Sequence, residues 1–162
     1  MNNNMNIRKA TKKDYQYIDD LYRHNYELYH NNIPNDYKKS PIPTLPEGTF
    51  LNMIIDNDSL VLVCEIKNII TGVLYAITEK DDGDEWSKPY HRVSVEELSV
   101  LPEYHRQGVG TELVKNAESW ALEKGIKELI VLVFDFNNDA INFYKNNGFG
   151  NYSIKMTKEI NK

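Results

Sequence analysis

The stretch Val100-Leu-Pro-Glu-Tyr-His-Arg-Gln-Gly-Val-Gly110 leads into a helical pattern and carries the sharpest chemistry in the chain. Gly108 and Gly110 let the backbone approach a ligand closely or take positive φ. A helix that starts there aims its free N–H groups, and the positive end of its dipole, into the turn. Such a turn suits a phosphate or pyrophosphate, and Arg106 adds a planar donor fork. A Walker A loop would end in Gly-Lys-Ser/Thr, but Thr111-Glu112 follows Gly110. A dinucleotide fingerprint needs a small residue where Leu113 stands, and it follows a first strand rather than a fourth. A tight strand–helix turn without a ligand is the plain alternative. His24, His30, His91 and His105 lack metal-ligand spacing, so no metal site is expected. Cys64, the single cysteine, reads as buried packing and not as a nucleophile.

The elements that must position this turn follow from periodicity. Ile7–Thr11 reads as a short strand. Thr11 or Asp14 caps a helix with Ile18, Leu21, Tyr22 and Leu28 on its apolar face. The prolines between His30 and Pro46 make an irregular connection. Glu47–Ile55 reads as a second helix with Phe50, Leu51, Ile54 and Ile55 inward. Leu60–Glu65 and Ile69–Thr78 read as a hairpin, and His91–Val100 as a further long strand. Gly108–Lys124 is a helix stopped by Gly125. Lys127–Phe134 reads as a strand, continuously apolar from Leu129 on, the pattern of burial on both faces. Asp139–Asn147 is a last helix, and Phe149–Ile160 is expected to supply the closing strand or strands. The strand–turn–helix–strand unit from Val93 to Phe134 is a crossover, so its two strands should be parallel. The whole is an α/β arrangement with a mixed sheet and helices on both faces.

Two blocks then point to one family. Val95-Glu-Glu-Leu-Ser-Val-Leu-Pro-Glu-Tyr-His-Arg-Gln-Gly-Val-Gly110 resembles the acetyl-CoA-binding motif of the GNAT superfamily of N-acetyltransferases. Asn137-Asn-Asp-Ala-Ile-Asn-Phe-Tyr-Lys-Asn-Asn-Gly-Phe149 resembles that superfamily's Asn-x-x-Ala-x-x-Phe-Tyr-x-x-x-Gly-Phe motif. The opening Ile7-Arg-Lys-Ala-Thr11 and the hairpin around Ile70-Thr-Gly-Val-Leu-Tyr75 are similar in a looser way. The resemblance implies a single domain over residues 1–162 with a mostly antiparallel sheet splayed between its fourth and fifth strands. The cofactor-binding core would span about 93–149 and the acceptor-recognition part about 14–56.

The resemblance also implies site residues for acetyl-CoA. Leu98, Ser99 and Val100 would pair with pantetheine as an added strand would. His105, Arg106, Gln107, Gly108, Val109, Gly110 and Thr111 would hold the pyrophosphate. Asn137 and Tyr144, with Ala140 one helical turn before Tyr144, would reach pantetheine and the thioester sulfur. The family usually carries Gln or Arg where this chain has His105.

The implied reaction is attack of a free amine on a thioester carbonyl. Glu96 and Glu97 are the available carboxylates, and in a regular strand they face opposite ways. The resemblance favours Glu96 as base. An ordinary Glu is about six pKa units too weak for an alkyl ammonium, an uphill step of roughly 8 kcal/mol. The base therefore needs a raised pKa, a water relay, or a role after attack. Tyr144 is the implied donor to the leaving thiolate. Full transfer from a phenol to a thiolate is uphill by about 2 kcal/mol, so a hydrogen bond or concerted donation fits better. Asn137 can cap its helix and bind cofactor at once. With no activated nucleophile, direct transfer in a ternary complex is expected. A non-catalytic acyl-CoA sensor of the same fold is the alternative.

Tyr26, Tyr29, His30, Asp36 and Tyr37 are candidates for acceptor recognition. The Asp81-Asp-Gly-Asp-Glu85 run is either a solvated loop or a lure for a cationic amine. Composition sets the remaining bounds. The 162 residues carry 19 basic and 24 acidic side chains, a net charge of −5, which disfavours nucleic acid. No basic tract suits an anionic membrane, and the apolar runs are far short of the ~20 residues of a bilayer span. Met1–Asn6 has neither the basic nor the apolar region of a signal peptide, and one cysteine suits a reducing cytoplasm. A homodimer is common in the family resembled. The acceptor would be an amine-bearing molecule, small or peptidic.

Overall fold

A computed structural model describes residues 5–160 of the chain; residues 1–4, within the opening read above for a signal peptide, lie outside them. The chain divides into two compact units, Met1–Leu132 and Val133–Lys162.

The first unit is built on one five-stranded sheet in the order β1-β2-β3-β4-β5. Its strands are β1 (Asn6–Lys9), β2 (Ser59–Ile66), β3 (Ile69–Asp81), β4 (Tyr90–Val100) and β5 (Leu129–Val131). β1 to β4 pair antiparallel in chain order. β5 joins β4 in parallel, Val93 opposite Leu129 and Val95 opposite Val131, as the crossover rule requires. Three helices cover the sheet: α1 (Tyr15–Asn32), α2 (Glu47–Ile55) and α3 (Val109–Glu123).

Alternation along the strands sorts the helices onto two faces. Val61, Val63 and Val73 pack with Ile18 and Leu21 of α1 and Phe50 and Met53 of α2. Residues of the opposite parity meet α3. Gly72 lies there, opposite Cys64 in the register. A Cβ at Gly72 would stand 2.9 Å from Val109 Cγ1 and 3.2 Å from Leu113 Cδ1. Glycine therefore lets the first turn of α3 settle onto the strands. Gly125, at φ 74°, ends α3 in the left-handed region.

Several sequence expectations change. Leu28 and Ile55, read as inward, are exposed, while Met53 is buried in their place. β5 is only Leu129–Val131 and half-buried, not an eight-residue strand buried on both faces. Among the described residues it pairs with β4 alone, and Leu132 is exposed. Thr11 and Asp14 cap each other in a short 3-10 turn ahead of α1.

The second unit is described alone. It holds α4 (Asn138–Asn146), capped by Asn137 Oδ1 accepting from Ala140 N at 3.0 Å. The expected closing strand in Phe149–Ile160 does not form. Those residues have no regular structure, and Tyr152, Ile154, Met156 and Ile160 are exposed. Their polar–apolar alternation fits a strand, but alternation alone does not satisfy a strand's backbone groups.

A fork of ionic hydrogen bonds locks the start of the first unit. Arg8 Nη1 and Nη2 donate to Asp14 Oδ2 and Oδ1, both at 2.8 Å, and Arg8 Nε donates to Glu65 Oε2 at 3.0 Å. Thr11 N adds a bond to Asp14 Oδ2 at 2.7 Å. The Arg8 guanidinium holds the buried Asp14 carboxyl below the usual aspartate range. A lowered folded-state pKa stabilises the fold above the unfolded value, and that gain disappears as pH falls through the folded one. Asp14→Asn is expected to lose about 3 kcal/mol in urea unfolding at pH 7. The gap to the parent chain should close in acid.

Candidate active site

β4 and β5 part company. Their pairing stops at Val95–Val131, although β4 runs on to Val100. Leu98, Ser99 and Val100, implied as the pantetheine strand, therefore pair with β3 on one side and, among the described residues, with no strand on the other. Here β4 also carries a bulge. Val95 faces Ala76 and Glu97 faces Tyr75, so Glu96 is the additional residue. The bulge breaks the alternation expected of the two glutamates. Glu97 and Ser99 come to lie opposite Tyr75 and Val73, on the face covered by α1.

The two carboxylates differ in surroundings. Glu96 is exposed and Glu97 is half-buried. Burial pushes the Glu97 carboxyl up to about 7, against the pull of two hydrogen bonds that favour its charged form. Asn25 Nδ2 and Ser99 Oγ both donate to Glu97 Oε1, each at 2.7 Å. Asn25 Nδ2 also reaches the Tyr29 hydroxyl at 3.4 Å.

Around Tyr29 gather the residues read as acceptor-binding. The Tyr29 and Tyr37 rings lie 5.1 Å apart, and the Tyr26 and Tyr37 rings meet edge-on at 5.6 Å. His30 Nδ1 lies 2.9 Å from the Tyr37 carbonyl. The irregular segment after α1 is pinned there. Buried Asp19 accepts from Leu45 N at 2.7 Å, and the Tyr15 hydroxyl donates to Leu45 O at 2.9 Å. Burial beside Glu97 and Tyr37 pushes the Tyr29 phenol up to about 12, so it stays protonated.

Two members of this cluster escaped the sequence reading. Asn25 has no motif; its one signal is the four-residue step to Tyr29 along the same helix face. Tyr22 reads as core, and its ring does pack there. Its hydroxyl is nevertheless buried without a hydrogen-bond partner among the described residues. Burial, reinforced by the charges of Glu97, Tyr75 and Glu96, holds that phenol well above its ordinary value.

Beyond Val100 the chain makes the glycine turn. Arg106 at φ 59° and Gly108 at φ 87° are both left-handed, and Gly108 is the N-cap of α3. His105 to Gly108 are exposed, whereas Val109 is buried and anchors the helix against the Gly72 position. No side chain caps this helix end, so the first N–H groups from Val109 to Thr111 have no intrahelical acceptor. His105, where the family usually has Gln or Arg, turns back to β4: its Nε2 lies 2.8 Å from the Val100 carbonyl. That bond requires the hydrogen on Nε2. Gln107 Nε2 donates to the Glu103 carbonyl at 2.7 Å. An exposed, cationic turn at a dipole's positive end fits a pyrophosphate, and the strandless side of Leu98–Val100 fits an amide-bearing chain.

In the second unit Tyr144 is buried, edge-on to Phe143 at 5.1 Å and to Phe149 at 5.2 Å. Gly148 at φ 87° turns the chain so that Phe149 N donates to the Tyr144 carbonyl at 3.0 Å. The Phe-Tyr…Gly-Phe block is thus one local packing unit. Ala140 precedes Tyr144 by four residues along α4.

Among the described residues, no group of three or more His, Cys, Asp or Glu is gathered for a metal, and no helix is long and apolar enough to cross a membrane.

Comparison with known proteins decides the family. The model of the acetyltransferase (GNAT) family matches residues 17–149. The chain belongs to the GNAT family. Among solved structures, a mutant of the BH1408 protein from Bacillus halodurans superposes with a TM-score of 0.92, covering 96% of this chain and 99% of that one at 21% identity. Aminoglycoside N-acetyltransferase AAC(6')-Iy, solved in complex with CoA, gives 0.72 over 97% of this GNAT chain and 100% of its own at 14% identity. At such identities the likeness is one of fold. Thialysine N-epsilon-acetyltransferase of Mus musculus is 40% identical over 53 residues, which is 33% of this chain and 31% of that enzyme. This GNAT chain thus spans about a third of the curated relatives that it matches.

The raised Glu97 pKa has a stability consequence. The folded state keeps the proton from the ordinary glutamate value up to about 7, so stability falls as pH climbs through that window. Glu97→Gln does not titrate. It should match the parent near pH 4 and exceed it by roughly 2–3 kcal/mol at pH 8, in urea unfolding at both values.

Proposed function

We propose that this GNAT chain is an acetyl-CoA-dependent N-acetyltransferase that moves the acetyl group directly to an amine of a small molecule or peptide. The carrying observation is the end of the β4–β5 ladder at Val95, two residues before the half-buried Glu97 carboxyl with its proton affinity raised to about 7. The whole chain would work as a single domain, with about 93–149 as cofactor core and about 14–56 on the acceptor side. Backbone groups of Leu98–Val100 bind pantetheine. The amides from Gly108 to Thr111, with Arg106 and Gln107, bind the pyrophosphate, and His105 braces the turn against β4.

Glu97 serves as base in place of Glu96. With its carboxyl near 7, the gap to an alkyl ammonium shrinks from about six units to about three and a half, and the uphill step to roughly 5 kcal/mol. In the reaction the acceptor nitrogen bonds to the thioester carbonyl carbon, the C–S bond breaks, and the nitrogen's proton passes to Glu97. Tyr144 donates to the leaving thiolate, and Asn137 reaches pantetheine beside Ala140.

Tyr26, Tyr29, His30 and Tyr37 receive the acceptor. Aromatic faces beside a carboxylate favour a cation over an anion. Thialysine and aminoglycosides, named for the relatives, head the acceptors to try. Location in a reducing cytoplasm agrees with a buried free Cys64. The assembly we propose is a homodimer, with neither membrane nor nucleic acid as partner.

Free thiol released from acetyl-CoA across an amine panel tests this reading. Turnover with at least one cationic amine is expected. Glu97→Gln should lower kcat by about 100-fold and Tyr144→Phe by about tenfold, with CoA affinity retained. Measured CoA binding with no thiol release from any amine would favour a sensor. An unchanged Tyr144→Phe rate across pH would remove Tyr144 from the mechanism.

A further inference from the structure

Asn25 stands on α1 and touches both halves of the first unit's site. Its Nδ2 donates to Glu97 Oε1 at 2.7 Å and reaches the Tyr29 hydroxyl at 3.4 Å. Ser99 Oγ donates to that same Oε1 at 2.7 Å from within β4. Two donors from two elements therefore meet on one oxygen, and none falls on Oε2 among the described residues. This fixes the rotation of the carboxyl and leaves Oε2 as its unused acceptor. An amide suits the place, because it donates two hydrogens and does not itself ionise.

Resting on the reading of Glu97 as base, we infer that Asn25 is a positioning residue that orients the Glu97 carboxyl and ties it to the tyrosine cluster. The acceptor side and the base are then held as one piece, although 72 residues separate Asn25 from Glu97 in the chain. The ionisable groups around Glu97 are Tyr22 and Tyr29 on α1, Tyr75 on β3 and Glu96 on its own strand. Burial keeps all three phenols protonated near neutral pH, so a change there belongs to the carboxyls. The Asn25 donor favours the ionised carboxylate, so its loss must move Glu97 to higher pH.

The test is carboxyl carbon NMR of glutamate-labelled protein across pH, with the Glu97→Gln spectrum assigning the Glu97 signal. Asn25→Ala should move the Glu97 titration upward by about one pH unit, and the acid limb of kcat/KM for amine acetylation should move with it. That is about tenfold less activity on that limb. Asn25→Asp, which keeps the size but replaces the donor by a carboxylate, should move both further. A Glu97 titration unchanged in both variants overturns the inference. A titration that moves while the rate profile stays still upholds the hold of Asn25 on Glu97 and overturns Glu97 as base. If the parent chain acetylates no amine, the NMR arm still decides whether Asn25 governs this carboxyl.

Discussion

The β4–β5 ladder ends at Val95, and the site in the first unit depends on that ending. A parallel pair that continued to Val100 would satisfy both sides of β4 and leave no backbone for a ligand. Instead a bulge at Glu96 follows the last pair, and three consequences share it. Leu98–Val100 keep a side without a strand. Glu97 swings to the α1 face, where it meets Asn25. The chain beyond Val100 makes the glycine turn and starts α3 with no side-chain cap on its first amides. Gly72 lets that helix sit close enough for Val109 to be buried.

Electrostatics in this site are local. The chain carries a net charge of −5, so its overall field repels an anionic cofactor. A dipole end, a left-handed turn and Arg106 act over a few ångströms, where that field matters least. The Glu97 carboxyl shows the same balance on a smaller scale. Burial raises its proton affinity, two hydrogen bonds lower it, and burial prevails. Asp14 shows the opposite result, because a full guanidinium outweighs its burial.

Much of this was legible in the sequence. The parallel crossover, the hairpin, the glycine turn, the Asn137 cap and the Gly125 stop follow from period, turn chemistry and connection rules, and all stand in the structure. The tyrosines of residues 26–37 were legible as candidates because so many aromatics lie close together. The bulge was not legible: Val95-Glu-Glu-Leu is compatible with a regular strand, and only pairing with β3 reveals the additional residue. Asn25 was missed for the same reason, since its meaning comes from a strand 72 residues away. The C-terminal segment misled in the other direction. Tyr152, Ile154 and Met156 alternate as a strand would, but alternation is a necessary condition and a neighbouring strand is another. Apolar continuity to Phe134 overstates β5, which spans only Leu129–Val131, because continuity does not count neighbours.

If the parting of β4 and β5 makes the acyl-CoA site, a crystal structure of this chain with CoA will show it. Pantetheine is expected alongside Leu98–Val100, with pyrophosphate oxygens within hydrogen-bonding distance of the amides between Gly108 and Thr111. CoA bound with β4 bare beyond Val95 and the glycine turn empty would contradict it.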